Sequence, residues 1–327
     1  MRKDIRKGEL TAYLGVLKTI AKSSNLETLK GIAILDGNLQ ATNLDITATL
    51  KADIQAEDCI YDSNFLDLLK VREWADPTPY KVQPIIDWVE ARPQEFGEEI
   101  NLDTRHSRGT LGEIIIHAFG FVSTDSTRPN LMSVWSDKGE IVATDGYRAY
   151  ASGSLAELDG MKFSLTTEVI KHLKKIIKYG GFKLRFNDQM VEIENDFFKL
   201  RAPMCAKAPA PVRDLMNSNR SFSRKLFLPY RQLKPLFNKT NKELEVKPNG
   251  TLVLENRPLQ IPIPIIEVDP TYEYDEDHCR ALLCGLRNGG LRFDATLLSA
   301  FTTNQDGNII LRYNENSLVF GIDEPLS

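Results

Sequence analysis

The chain has 327 residues, 42% hydrophobic and 26% charged, with 41 Lys and Arg against 45 Asp and Glu, a net charge of −4. These proportions exclude disorder as the main state, and the length predicts two or three domains. No apolar run approaches the ~20 residues of a membrane span, and the N-terminus carries no apolar leader core, so the expected location is the cytoplasm.

The elements recur along the chain. Residues 10–24 carry a helix-like apolar pattern. An apolar strand follows, then a tight turn at Asp36-Gly37-Asn38, then a strand ending in Ala41-Thr42-Asn43-Leu44-Asp45. The same succession returns at 111–151, with a helix, a strand, a turn through Lys138-Gly139, and a strand ending in Ala143-Thr144-Asp145-Gly146-Tyr147. A third copy starts near Pro229 and has its turn at Pro248-Asn249-Gly250, a strong hairpin signal.

A second pattern of strand, cap and helix starts at Cys59, Met161 and Gly290. The last two copies run on into hairpins, with turns at Asn187-Asp188 and Asn314-Glu315-Asn316. The chain therefore reads as α+β, with three modules at 1–108, 109–220 and 221–327. The first module departs from the pattern over 75–101, which holds four prolines and no clean hairpin.

An acidic chain does not coat nucleic acid uniformly, so the placement of its cations matters. Over Thr166–Tyr179, helical spacing puts Val169, Ile170, Leu173, Ile176 and Ile177 on one side and Lys171, Lys174, Lys175 and Lys178 on the other. Equivalent helices carry Lys18 and Lys22, and Arg231, Lys234 and Lys239. The acids cluster elsewhere, at Glu95–Glu99 and Glu273–Asp277. This segregation predicts one basic surface suited to phosphate contact, which is independent of base sequence. Two helices, Leu111–Phe121 and Thr296–Thr303, lack lysine and arginine.

Candidates for other chemistry are few. Cys59, Cys205, Cys279 and Cys284 fit no disulfide scaffold or zinc pattern and read as reduced thiols. Asp145, His117, His172 and His278 come from different modules and sit in no catalytic motif. His117 lies on an apolar helix and is expected to pack. His172 lies among lysines and is expected to join the basic face. No cofactor or metal is implied.

Val142-Ala-Thr-Asp-Gly-Tyr-Arg-Ala-Tyr150, with Thr127-Arg-Pro-Asn-Leu131 ahead of it, resembles two motifs of the bacterial DNA polymerase III β sliding clamp family. Asp36–Asp45 is similar to a third. The resemblance spans essentially the whole chain. It implies three clamp modules with helices on the inner face and antiparallel sheets outside, two chains closing a six-module ring.

The implied function is a non-catalytic processivity factor that encircles duplex DNA and tethers a polymerase, with a clamp loader, through short peptides. The resemblance carries the peptide groove onto Leu131, Thr144, Gly146, Tyr147, Arg148 and Ala149. Met216 and Ile322 are further wall candidates, and Leu236 and Phe237 are dimer candidates. Tyr147 and Ala149 stand where the family has His and Leu. The ending Gly321–Ser327 departs from the family's apolar tail. Two other readings are a clamp-shaped interaction protein that does not encircle DNA, and an enzyme using Asp145 and histidines.

Overall fold

In the computed structural model, residues 4–69, 80–84, 95–106, 109–146 and 149–212 are described, together with the backbone of strands between Arg224 and Ile322. In chain order the elements are α1 (Lys7–Ser23), β1 (Ile32–Leu35), β2 (Asn38–Thr42), β3 (Thr47–Leu50), β4 (Cys59–Tyr61), α2 (Phe65–Leu69), β5 (Lys81–Pro84), β6 (Glu99–Asn101), β7 (Arg105–His106) and β8 (Gly109–Thr110). There follow α3 (Leu111–Ala118), β9 (Ser133–Asp137), β10 (Glu140–Thr144), β11 (Ala149–Ala151), β12 (Phe163–Thr166), α4 (Thr167–Ile176), β13 (Lys183–Phe186), β14 (Met190–Glu194) and β15 (Phe198–Pro203).

The helices follow their apolar spacing. In α1, Leu10, Tyr13, Leu14, Val16, Leu17, Ile20 and Ala21 are buried. Glu9 in its first turn and Lys22 in its last complement the helix dipole. In α4, Val169, Ile170, Leu173 and Ile176 are buried, and a 3-10 turn over Ile177–Tyr179 continues it.

The hairpins follow their turn residues. Asp36 (φ 47°) and Gly37 (φ 74°) link β1 to β2 in the left-handed region, and Lys138 (φ 51°) and Gly139 (φ 76°) do the same between β9 and β10. Positive φ at both central residues matches the natural strand twist, which is why Asx-Gly and Lys-Gly pairs succeed here. At the β13–β14 turn the Asn187 side chain accepts from the Gln189 and Met190 amides.

The chain forms two compact units, residues 1–113 with 163–206, and 114–162 with 207–327. The first unit is built on a nine-stranded sheet in the order β5-β4-β1-β2-β3-β15-β14-β13-β6. Pairing of β3 with β15, Thr47 opposite Arg201 and Thr49 opposite Lys199, joins strands 150 residues apart in the chain.

Two polar rows cross this sheet. One runs Glu99–Arg185–Glu192–Arg201–Thr47, the other Asn101–Lys183–Glu194–Lys199–Thr49. Opposite charges face each other across the strands, the arrangement that stabilises a ladder. Glu192 is 1% exposed and pairs with Arg185 (2.9 Å), Lys199 (3.6 Å) and Arg201. Its burial alone would raise its carboxyl pKa, but the Arg201 hydrogen bond and the charges of Arg201, Lys199 and Arg185 outweigh that and lower it.

In the second unit, β9, β10 and β11 form an antiparallel meander. His117 sits 5.3 Å from the Tyr150 ring and 6.0 Å from Phe121, the packed histidine expected of an apolar helix. Later strands form two five-stranded sheets. One is ordered Ile265–Glu267, Arg224–Pro229, Asn308–Tyr313, Leu318–Ile322, Ala281–Leu283. The other is ordered Arg257–Pro262, Thr251–Leu254, Glu243–Val246, Gly290–Asp294, Leu286–Arg287. The expected hairpins at 243–254 and 308–322 are both present.

Cys59 is buried, Cys205 half-buried, and neither forms a disulfide. Among the described residues no cluster of three metal-ligating side chains occurs, and no helix is long and apolar enough to cross a membrane.

Candidate nucleic-acid interface and partner groove

α1 and α4 lie side by side in the first unit. The seam is marked by Lys175 Nζ on Thr19 Oγ1 (3.3 Å), Tyr179 OH donating to the Gly8 carbonyl (2.8 Å), and Asn43 Nδ2 donating to both Ser23 Oγ (2.9 Å) and Glu168 Oε1 (3.3 Å). The two ends of each helix match opposite ends of the other, so the pair is antiparallel. Gly8, Ala12, Gly15 and Thr19 recur on α1 at helical spacing.

Lys171, Lys174, Lys175 and Lys178 are all exposed, with Lys22 exposed on α1. Among the described residues none of the four α4 lysines reaches a carboxylate. Lys175 touches a hydroxyl, and Lys178 lies 5.2 Å over the Tyr179 ring. The sheet treats its cations differently: Lys183, Arg185, Lys199 and Arg201 are each paired with an acid. Among the described residues, α4 and the turn after it thus present four exposed lysines without a carboxylate partner.

Lys18 is placed differently from Lys22. Its side chain is only 18% exposed and pairs with Asp67 of α2 at 2.5 Å. Sequence spacing assigns both to one face, but the contact with α2 holds Lys18 against the protein.

His172 corrects an expectation. It is buried among the α4 core residues, not on the basic face, and both ring nitrogens lack a hydrogen-bond partner. Its helical position falls between Glu168, Lys175 and Tyr179, the α4 residues that reach toward α1. Burial, with the charges of Lys175 and Lys171 adding to it, pushes its pKa down to about 4. It is a neutral, buried residue near pH 7.

The second unit brings together part of the expected groove. Thr144 pairs with Ala149 across β10 and β11. Thr144 Oγ1 accepts from the Gly146 amide at 3.0 Å. Gly146 has φ 90°, and a methyl group placed on it would lie 3.7 Å from Leu131 Cδ1 and 3.7 Å from a guanidinium nitrogen of Arg128. Leu131, Thr144 and Ala149 are buried. Arg128 belongs to the same motif as Leu131, yet its nearness to Gly146 follows only from the folded turn.

Tyr147, Arg148, Met216, Arg231, Lys234, Leu236, Phe237 and Lys239 lie outside the described residues. Ile322 is placed by its backbone alone, opposite Ile309.

No family model and no curated protein matches the sequence. Solved structures do match. The sliding clamp (DNA polymerase III subunit beta) of Bartonella birtlesii aligns with a TM-score of 0.66 at 15% identity, covering 98% of each chain. A putative DNA polymerase III beta subunit of Eubacterium rectale aligns at 0.69 and 10% identity, also over 98% of each. The Helicobacter pylori beta clamp, solved with a DNA ligase peptide, aligns at 0.63 and 13%, covering 97% of this chain and 98% of that one. The fold is that of the beta sliding clamps, antiparallel sheets with few helices.

Proposed function

We propose that this chain is a DNA sliding clamp: a non-catalytic processivity factor whose three modules, paired with those of a second copy, close a six-module ring around duplex DNA. The reading rests on one observation above all. In a fold shared with beta clamps, the exposed lysines of α4 have no carboxylate partner among the described residues, while the sheet's cations are neutralised. Lysine without planar hydrogen-bonding partners suits phosphate, whose contacts carry no sequence information.

Leu131, Thr144, Gly146 and Ala149 are proposed as the floor of a groove for short peptides of a polymerase and a loader. The H. pylori clamp was solved with such a peptide from DNA ligase. Ala149 in place of a larger residue leaves room for a bulkier partner side chain. Two measurements test the proposal. Light scattering should give twice the chain mass at micromolar concentration, and the loaded protein should stay on closed circular DNA but leave after linearisation. A persistent monomer that never stays on circles would overturn the ring and favour the non-encircling interaction protein.

A further inference from the structure

The end of α4 meets the start of α1 at one hydrogen bond. Tyr179, closing the 3-10 turn after α4, donates its hydroxyl to the Gly8 carbonyl at 2.8 Å. Its ring also stands edge-on to buried Tyr13, centroids 6.4 Å apart. The ring is thus fixed from two sides, although Tyr179 itself is only half-buried.

Lys178 lies on that ring. Its ammonium is 5.2 Å from the ring centroid, within the range of a cation–π contact. A free lysine stem loses rotamer entropy when a ligand fixes it, and a contact already made removes part of that cost. The kind of contact matters. A carboxylate holds an ammonium and cancels its charge, as Asp67 does for Lys18. An aromatic face holds it and leaves both the charge and N–H donors for an anion.

The acids near this junction are engaged elsewhere. Glu9 is buried and accepts from the Tyr13 hydroxyl, and Asp103 accepts from the Gly181 amide at 2.5 Å. Asp4 is exposed, and so are Arg6 and Lys7 just before Gly8. Among the described residues neither Lys178 nor those two cations pairs with a carboxylate.

We infer that Tyr179 is a positioning residue for a backbone phosphate of duplex DNA, presenting the Lys178 ammonium to it where the two helices meet. The inference rests on the proposed function, which makes the exposed lysines of this helix the phosphate contacts. It assigns a role there to a side chain that carries no charge.

The test is binding of the full-length protein to a short linear duplex at low salt, read by fluorescence anisotropy across a salt series. Tyr179→Leu should weaken binding roughly two- to five-fold, the worth of one exposed cation–π contact. Tyr179→Phe keeps the ring and should bind more tightly than Tyr179→Leu. Lys178→Met should reduce the salt slope by about one unit, and in that background Tyr179→Leu should weaken binding no further. Tyr179→Met, a second ringless variant, takes the place of Tyr179→Leu if thermal melts show the latter unfolded.

Joint reversal of Lys171 and Lys174 to Glu reads the proposed function separately. If it weakens binding while Tyr179→Leu binds as tightly as the parent, the inference is wrong and the proposed function survives. Equal weakening by Tyr179→Phe and Tyr179→Leu would assign the loss to the hydroxyl tie. An undiminished loss in the Lys178→Met background would assign it to packing, and either result overturns the inference. A reversal without effect would remove the proposed function, and the inference with it.

Discussion

Tyr13 of α1 lies flat on Phe198 of β15, ring centroids 4.7 Å apart and planes 9° from parallel. Phe182 and Tyr179 stand edge-on to Tyr13, each at 6.4 Å. The hydroxyl is buried and satisfied, donating to Glu9 Oε1 (2.7 Å) and accepting from Asn195 Nδ2 (2.8 Å). Burial, then the Glu9 hydrogen bond, push its pKa far up, so it stays a neutral donor. One side chain thus ties the first helix to strands nearly two hundred residues away.

Tyr13→Ala should therefore cost about 3–5 kcal/mol, the range for emptying a buried aromatic site. Tyr13→Phe should cost about 1–3 kcal/mol by leaving Glu9 and Asn195 without their partner. Urea unfolding monitored by far-UV circular dichroism measures both. A larger loss for Phe than for Ala would contradict the packing account.

His172 sets a pH dependence. Its folded pKa is about 4 against 6.5 for the free group, so between those values the unfolded chain binds the extra proton. Stability should fall as pH drops from 6.5 to 4, by at most about 3 kcal/mol at 1.36 kcal/mol per unit. His172→Leu should flatten that slope. Glu192 acts lower, since a depressed carboxyl loses its contribution only as pH falls below 4.5 toward its folded value. Unfolding curves of parent and His172→Leu at several pH values separate the two; parallel curves would dismiss the histidine.

Glu192 holds three cations on the sheet face, so Glu192→Gln should leave like charges facing one another. The expected loss is about 2–4 kcal/mol, below the full cost of breaking a buried pair because Arg185, Lys199 and Arg201 keep some solvent contact. A double-mutant cycle with Arg201→Met should show coupling above about 0.5 kcal/mol. Additive losses would mean that the ladder is decorative.

Lys18 and Lys175 should behave differently although sequence spacing treats both as basic-face residues. Lys175→Met should reduce the salt slope of DNA binding by about one unit, the release associated with one phosphate contact. Lys18→Met should leave the slope nearly unchanged, because that ammonium is held by Asp67. Equal effects would place Lys18 on the DNA-binding surface after all.

Gly146→Ala should weaken peptide capture through strain at φ 90°, and Ala149→Arg should abolish it by placing a guanidinium at a buried strand position. Calorimetric titration with a peptide from the cognate polymerase reads both. Intact binding to Ala149→Arg would move the groove elsewhere.

The local structure of this chain was legible in residues alone. Periodicity placed α1 and α4 and separated the α4 core from its lysines. Asp36-Gly37, Lys138-Gly139 and Asn187 marked their turns, because turn conformations are decided within a few residues. The recurrence of those signals suggested a repeat, and residues within it carry the resemblance that the fold comparisons support.

Tertiary structure decided what depends on distant partners. Periodicity ranks His172 with its lysine neighbours, but the folded chain buries it. Composition counts Lys18 with the free cations, but Asp67, 49 residues on, holds it. The pairing of β3 with β15 likewise arises between segments far apart in the chain. Sequence spacing reports which face of an element a residue occupies; what that face meets is a property of the assembled fold.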